Sequence, residues 1–451
     1  LVFGFALLGI FTRPVGALAA FWPANAVLLG VLVRWPTLAR PFAWCAAAIA
    51  LVSADLLTGG TWAKATHLSA ANLVGVAVGY LLFMRLSPEH RTLRSTQSMV
   101  YFLLIVTLAS LAVGLAGMFI NPRLFGGTPV SGLWFWFTSE LVDYLVILPV
   151  VLTMPAWQRP RLINRRGSVL QGLAARQLLP VCTLLLGALL TKVFNGPGAI
   201  AYLVPGLLWC ALSYSLFATA VLTLISSAWV LMAVSAGQLH FGADFSAPYA
   251  LQSFRIAIAL IVMGPLTVAT VMDARNQLLR QWLHAATHDP LTDCLNRSGF
   301  ADQAASSLSA LRSTDRPAAV LMLDIDHFKM VNDRHGHAIG DQVLAATAAQ
   351  IARSLRSTDL LGRWGGEEFA ILLPNCSPEE ALQVAQRICG QCAQQRVPLP
   401  GTDTLGITVS IGLASFPTTP ASLEAALAQA DEALYRAKGQ GRNRVAVAPP
   451  P

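Results

Sequence analysis

The residues best suited to chemistry lie in Arg363-Trp-Gly-Gly-Glu-Glu-Phe369, where two adjacent glycines precede two adjacent carboxylates. Glycine admits positive φ and lets a backbone approach a ligand closely, while paired carboxylates supply the hard oxygen ligands that Mg²⁺ prefers. Upstream, Leu321-Met-Leu-Asp-Ile-Asp-His-Phe-Lys329 is an apolar run that delivers Asp324 and Asp326 at its end. Acids brought to one edge from two strands make a cradle for metal-assisted phosphoryl transfer.

Positioning these acids requires a sheet, and the carboxyl-terminal part of the chain reads as an α+β domain with an antiparallel central sheet. Ala318 to Leu323, Glu368 to Leu373 and Thr408 to Ser415 read as strands; Gly340 to Ser357, Pro378 to Gln395 and Ser422 to Lys438 read as helices. Pro290, Gly336 and Gly401 punctuate the loops.

The rest of the chain is of another kind. With 55% hydrophobic and 12% charged residues and a mean hydropathy of +0.57, much of it belongs in lipid. Residues 1–272 carry 15 Lys/Arg against 5 Asp/Glu, whereas residues 273–451 carry 16 against 18. The basic balance therefore belongs to membrane loops and is no argument for nucleic acid. Apolar runs predict about ten spans, near 1–12, 15–33, 41–59, 67–86, 98–120, 131–154, 177–193, 198–214, 216–237 and 250–272. The first is short and the chain begins without Met, so a truncated amino terminus is expected. Arg34 and Arg40, then Arg85, Arg91 and Arg94, then Arg159, Arg161, Arg165, Arg166 and Arg176 fall on one side of this layout and mark it as cytoplasmic. Arg13, Lys64, Arg123 and Lys192 fall on the other, and residue 273 emerges in the cytoplasm. Within the spans, Glu140 and Asp143 share one helix face, Asp55 lies in another span and Arg255 in the last, a set expected to form a polar pocket.

Residues 273–286 place Leu278, Leu279, Trp282 and Leu283 on one side of a predicted continuous signalling helix, too short to hold a dimer alone. Seven cysteines are scattered along the chain, and Cys389-Gly-Gln-Cys392 lies in an amphipathic helix without a second pair, so reduced thiols are expected. His335-Gly-His337 lacks the third nitrogen or sulfur ligand that a transition-metal site needs.

Between residues 287 and 447 the ordered motifs Asp289-Pro-Leu-Thr292 with Asn296-Arg297, Asp324 to Asp341, Gly365 to Phe369, Val409-Ser-Ile-Gly412 and Ala437-Lys-Gly-Gln-Gly-Arg-Asn443 resemble the GGDEF-domain diguanylate cyclases, which join two GTP molecules into cyclic di-GMP. Phe21-Trp-Pro-Ala-Asn-Ala26, and Trp134-Phe-Trp136 leading into Glu140 and Asp143, resemble the MASE group of bacterial integral-membrane sensor domains over most of residues 1–272. Together the resemblances imply a multispan α-helical sensor domain at 1–272, a linker at 273–286, an α+β cyclase domain with a nucleotide-cyclase palm at 287–447 and a tail at 448–451. They imply a multi-pass protein of the bacterial inner membrane with its catalytic domain in the cytoplasm.

By the family pattern, Asp324, Glu367 and the backbone carbonyl of Ile325 hold Mg²⁺, two ions per active site with Mn²⁺ as a substitute. Glu367 is the candidate proton acceptor, its role not separable in sequence from that of Glu368. Asn332 and Asp341 occupy the guanine-reading positions with His337 between them, Lys438 and Arg442 grip the phosphates, and Lys329 stabilises developing charge. Arg356 and Asp359 match the inhibitory cyclic di-GMP site, with Arg387 assisting. The resemblance implies a homodimer, each protomer presenting one GTP. The alternative is a degenerate cyclase kept as a receptor for GTP or cyclic di-GMP. Asp293-Cys294 stands where the family has Gly-Leu, and Ser298 replaces a common arginine.

Overall fold

The computed structural model describes residues 1–11, 21–155, 175–241, 249–312, 316–399, 404–420 and 422–449. Arg13, Arg159, Arg161, Arg165, Arg166, the side chain of Arg176, Gly401 and the last two prolines of the expected tail lie outside them. The chain divides into two compact units, Leu1–Gln277 and Leu278–Pro451.

The first unit is helical: α1 (Val2–Phe11), α2 (Pro23–Arg34), α3 (Pro41–Leu57), α4 (Trp62–Met84), the short α5 (Pro88–Arg91), α6 (Ser98–Leu124), α7 (Pro129–Thr153), α8 (Ala175–Phe194), α9 (Leu203–Ser213), α10 (Leu216–Ser235) and α11 (Ala250–Thr287). Their starts are written locally. Proline opens α2, α3 and α7, where its missing N–H costs no bond, and the side chains of Thr61, Thr128 and Ser215 accept backbone N–H groups ahead of α4, α7 and α10. Apolar helices occupy each of the ten predicted runs. Among the described residues five of them, α4, α6, α7, α10 and α11, are long and apolar enough to cross a membrane; the others, including the Leu178–Phe194 part of α8, are shorter. Helices α6 and α7 touch through small residues: Gly132 lies against the Gly117 carbonyl and Gly117 against Trp136, so a Cβ at either would collide.

Glu140 and Asp143 are buried with polar company. The Asn25 side-chain amide donates to both Glu140 oxygens, at 3.0 and 3.1 Å, and the Trp22 backbone N–H donates to Asp143 at 3.1 Å. Arg255 is buried with its guanidinium 4.6 Å from the Phe135 ring centroid. Asn25 was not among the polar residues expected there.

The second unit contains α12 (Arg297–Arg312), β1 (Ala318–Ile325), α13 (Phe328–His335), α14 (His337–Arg353), β2 (Leu360–Gly365), β3 (Glu368–Pro374), α15 (Pro378–Gln394), β4 (Arg396–Pro398), β5 (Thr404–Gly406), β6 (Val409–Phe416), α16 (Leu423–Gly439) and β7 (Val445–Val447). The main sheet has the order β2-β3-β1-β6-β7. Four strands run antiparallel, as the sequence pattern predicted for the central sheet, and β7, which it did not foresee, joins β6 in parallel and makes the sheet mixed. Three residues are too few for their alternation to declare a strand. β1 is buried along its whole length because it is the central strand. Leu321, Leu323 and Ile325 enter the core formed with α14 and α15, and Val320 and Met322 enter the core formed with α12 and α16. Helix α14 ends at Arg353, so Arg356 lies beyond it, in the turn before β2.

Cys389 and Cys392 face the core, and burial pushes the Cys392 thiol up to about 12. Such thiols are inert packing residues.

Candidate active site

The catalytic edge forms where β1 ends beside the β2–β3 hairpin. Gly366 sits in the hairpin turn at φ +51°, a conformation natural to glycine, and the β2–β3 register shifts between Arg363 and Gly365. On the other side of β3, its unbroken register with β1 sets Glu368 directly opposite Asp324. Glu367 stands in the turn, and its carbonyl accepts the Ile325 N–H at 3.4 Å. Four of the predicted metal and catalytic positions, 324, 325, 367 and 368, thus meet through backbone register.

Opposed carboxylates on neighbouring strands repel and call for a cation. Lys438, near the end of α16, supplies one with its Nζ 2.7 Å from Asp324 Oδ2. Burial pushes the Asp324 carboxyl above the usual carboxylate range, with Lys438 pulling the other way, and burial followed by the Asp324 charge does the same to Glu368. Among the described residues no three acids, histidines or cysteines converge on one point. The oxygen-rich edge nonetheless fits a hard divalent cation, because an ammonium already lies against the Asp324 carboxylate.

Asp326 has turned away from this edge. Its oxygens accept the hydroxyls of Thr408 and Ser410, each at 2.7 Å, and the Asn443 N–H at 3.0 Å. Arg442 and Asn443 both have left-handed backbones, at φ +62° and +47°, directly after Gly441. Asp326 therefore clamps the strained loop that presents Arg442. Sequence reasoning saw Asp326 as a second acid but gave it no task.

A second unexpected element is Arg363. Its Nη1 donates to both oxygens of Asp289 at 3.1 Å, while Nε and Nη2 donate to the Gly366 carbonyl at 3.0 and 2.8 Å. One guanidinium thus ties the Asp289-Pro-Leu-Thr292 turn to the glycine turn. Burial works to raise the Asp289 pKa, but two hydrogen bonds from Thr292 and the Arg363 charge outweigh it and hold the carboxyl below its ordinary range. Trp364 lies edge-on to Phe300, with its ring centroid 4.7 Å from the Arg297 guanidinium. Asp293 takes φ +58°, which accounts for glycine as the residue expected there, and its carboxylate lies 2.8 Å from His284 Nε2 at the end of α11.

Asn332 on α13 lies against Gly340 on α14, so closely that no Cβ fits there. Asp341 follows on α14 and His337 begins it, both exposed. Lys329 is exposed one turn before Asn332. The Arg356–Asp359 segment is a closed turn: Asp359 accepts the Arg356 N–H at 2.8 Å and returns its own N–H to the Arg356 carbonyl. Arg387 on α15 donates to the Ser354 carbonyl at 2.8 Å, which brings it to the same turn. Gln391, absent from the sequence reading, joins Ser354 to Gln350 there.

Comparison with known proteins finds that the family "Diguanylate cyclase, GGDEF domain" matches residues 286–444. A probable diguanylate cyclase, DgcF, of Escherichia coli O157:H7 is 30% identical over 452 residues, covering 98% of this chain and 91% of the relative. Its counterpart in strain K12 is 34% identical, covering 68% of this chain and 95% of the relative. Among solved structures, the coiled coil and GGDEF domain of DgcB from Caulobacter crescentus is 32% identical, covering 39% of this chain and 92% of that one, with a TM-score of 0.37.

Proposed function

Because the chain belongs to the GGDEF diguanylate cyclase family, we propose that it condenses two GTP molecules into cyclic di-GMP and two pyrophosphates, at the cytoplasmic face of a bacterial inner membrane. The observation that carries this reading is the pair Asp324 and Glu368, opposed beneath the glycine turn with Lys438 2.7 Å from Asp324.

Each 3′-hydroxyl oxygen bonds to the α-phosphorus of the other GTP as the bond to pyrophosphate breaks, and two such exchanges close the ring. Mg²⁺, two ions per site with Mn²⁺ as a substitute, neutralises triphosphate charge and acidifies the attacking hydroxyl when bound. Asp324, Glu367 and the Ile325 carbonyl are the oxygens that hold it. Glu367, on the turn, takes the hydroxyl proton, while Glu368 keeps the edge electronegative. Lys438 and Arg442 bind the phosphates, and Lys329 meets charge that develops during transfer. Asn332 and Asp341 read the guanine edge with an amide and a carboxylate, and His337 adds a contact. Since each site presents one GTP, two protomers face each other in a homodimer. Arg356, Asp359 and Arg387 form an inhibitory product site. Residues 1–272 are a MASE-like membrane sensor, which acts on the cyclase through residues 273–286.

The test is to incubate the detergent-purified full chain with GTP and Mg²⁺ and seek cyclic di-GMP by chromatography. Tight GTP binding without any cyclic product would make the protein a receptor and overturn the enzymatic reading.

A further inference from the structure

A cavity of 230 Å³ opens in the first unit where α2, α7 and α10 end or begin, next to the segment after α5. Its lining joins Arg34, Arg94, Thr92, Thr153, Ser215 and Asp273. Both Arg34 and Arg94 bring positive charge to that lining, and burial followed by the Arg94 charge lowers the Arg34 pKa. Arg34 donates one N–H to the Met154 carbonyl at 2.8 Å, which fixes its fork and leaves other donors available. The Arg94 guanidinium has no hydrogen-bond or ion-pair partner among the described residues, and neither does the Asp273 carboxylate.

An excess of arginine on one side of a membrane domain is explained by orientation alone. Orientation does not explain why two guanidiniums line one recess with three hydroxyl side chains. Arg40 and Arg85 satisfy the same charge bias outside the cavity. The recess is also placed at the start of α10, a 20-residue helix whose amino-terminal dipole adds positive potential. Its volume is below that of sites for drug-sized ligands, and suits one compact anionic group.

The geometry points to a binding site for a phosphate-bearing anion between Arg34 and Arg94, with the Ser215 hydroxyl as a further donor, since those of Thr92 and Thr153 already donate to the Pro88 and Pro149 carbonyls. Guanidinium forks match phosphate oxygens, and a basic recess at the cytoplasmic ends of membrane helices receives either a lipid headgroup or a soluble phosphate. Asp273 is the one acid among the described residues of the lining and lies on α11, so an anion in the recess acts electrostatically on the helix that continues to Thr287.

The test uses the full chain in nanodiscs of phosphatidylcholine. One arm adds phosphatidic acid and counts retained lipid by native mass spectrometry; the other measures pyrophosphate and inorganic phosphate by equilibrium dialysis. Retention of phosphatidic acid over phosphatidylcholine assigns the site to a headgroup, and saturable phosphate or pyrophosphate binding assigns it to a soluble anion. Either is expected to weaken about tenfold or more in Arg34→Gln or Arg94→Gln and to hold in Arg85→Gln. Asp273→Asn is expected to tighten binding, which a folding defect does not produce. Equal binding by the parent and Arg94→Gln, an equal loss in Arg85→Gln, or no binding of any probe would overturn the site.

Discussion

Asp326 offers the sharpest test of how this domain holds its catalytic loop. Its Oδ2 accepts both the Thr408 hydroxyl and the Asn443 N–H, while Oδ1 accepts the Ser410 hydroxyl, and the residue is only 6% exposed. In Asp326→Asn the amide oxygen can take the Oδ2 position and the amide nitrogen can donate to Ser410, whose hydroxyl rotates to accept. Every partner stays bonded and only the charge is lost. Charge-assisted bonds of about 1.5–3 kcal/mol become neutral ones near 1, partly offset because a neutral group is cheaper to bury, for a net loss of about 1–2 kcal/mol. Asp326→Ala orphans all three donors. The hydroxyls can turn elsewhere, but the Asn443 N–H cannot, and the loss should be about 4 kcal/mol. Native-state hydrogen exchange of the β6 and 441–444 amides in the full chain should show protection falling about tenfold in the Asn variant and about a thousandfold in the Ala variant. The KM for GTP should rise in the same order, because Arg442 sits on the released loop. Parental protection of the Asn443 amide in Asp326→Ala would show that the clamp does not hold this loop.

Other consequences are open to the same protein. Glu367→Gln keeps the turn but removes a charge and a base, so cyclic di-GMP formation should fall by orders of magnitude; near-parental turnover would exclude Glu367 from both tasks. Since the folded pKa of Asp289 is lowered, its stabilisation is fully present above the ordinary carboxylate value of about 4 and is lost as pH falls through the folded value. Exchange protection at residues 289–296 should therefore decline in acid for the parent and less steeply for Asp289→Asn, and identical slopes would refute the linkage. Arg356→Ala should keep accumulating cyclic di-GMP at concentrations where the parent stalls, whereas an unchanged inhibition curve would leave the Arg356–Asp359 turn a structural feature only.

What the sequence disclosed follows from what covalent order can encode. Gly365 to Phe369 is a turn whose glycines and acids are adjacent, so its shape and chemistry are written together. The apolar runs of the first unit announce helices because lipid-length hydropathy is local information. Relations between distant segments are different. That Arg363 grips Asp289, that Asp326 faces β6 and not the acidic edge, and that Lys438 reaches Asp324 depend on sheet order and strand register. Asn25 stood in the quoted Phe21–Ala26 motif, but its pairing with Glu140 depends on α2 packing beside α7. β2 escaped notice because a half-buried strand interrupted by Gly362 and ended by Gly365 has weak alternation, and α13 because eight mixed residues carry little periodicity.

The two glycines of the hairpin also make a natural experiment in separating causes. A methyl group at Gly366 would strain a left-handed backbone, so a defect there blends folding with everything else. At Gly365 the backbone is ordinary and a methyl group would meet nothing within 4 Å. The chain by itself is indifferent to alanine at that position. Any intolerance of Gly365→Ala must then come from something outside the chain that rests on the crest of the turn, and the size of the defect measures how closely that visitor lies.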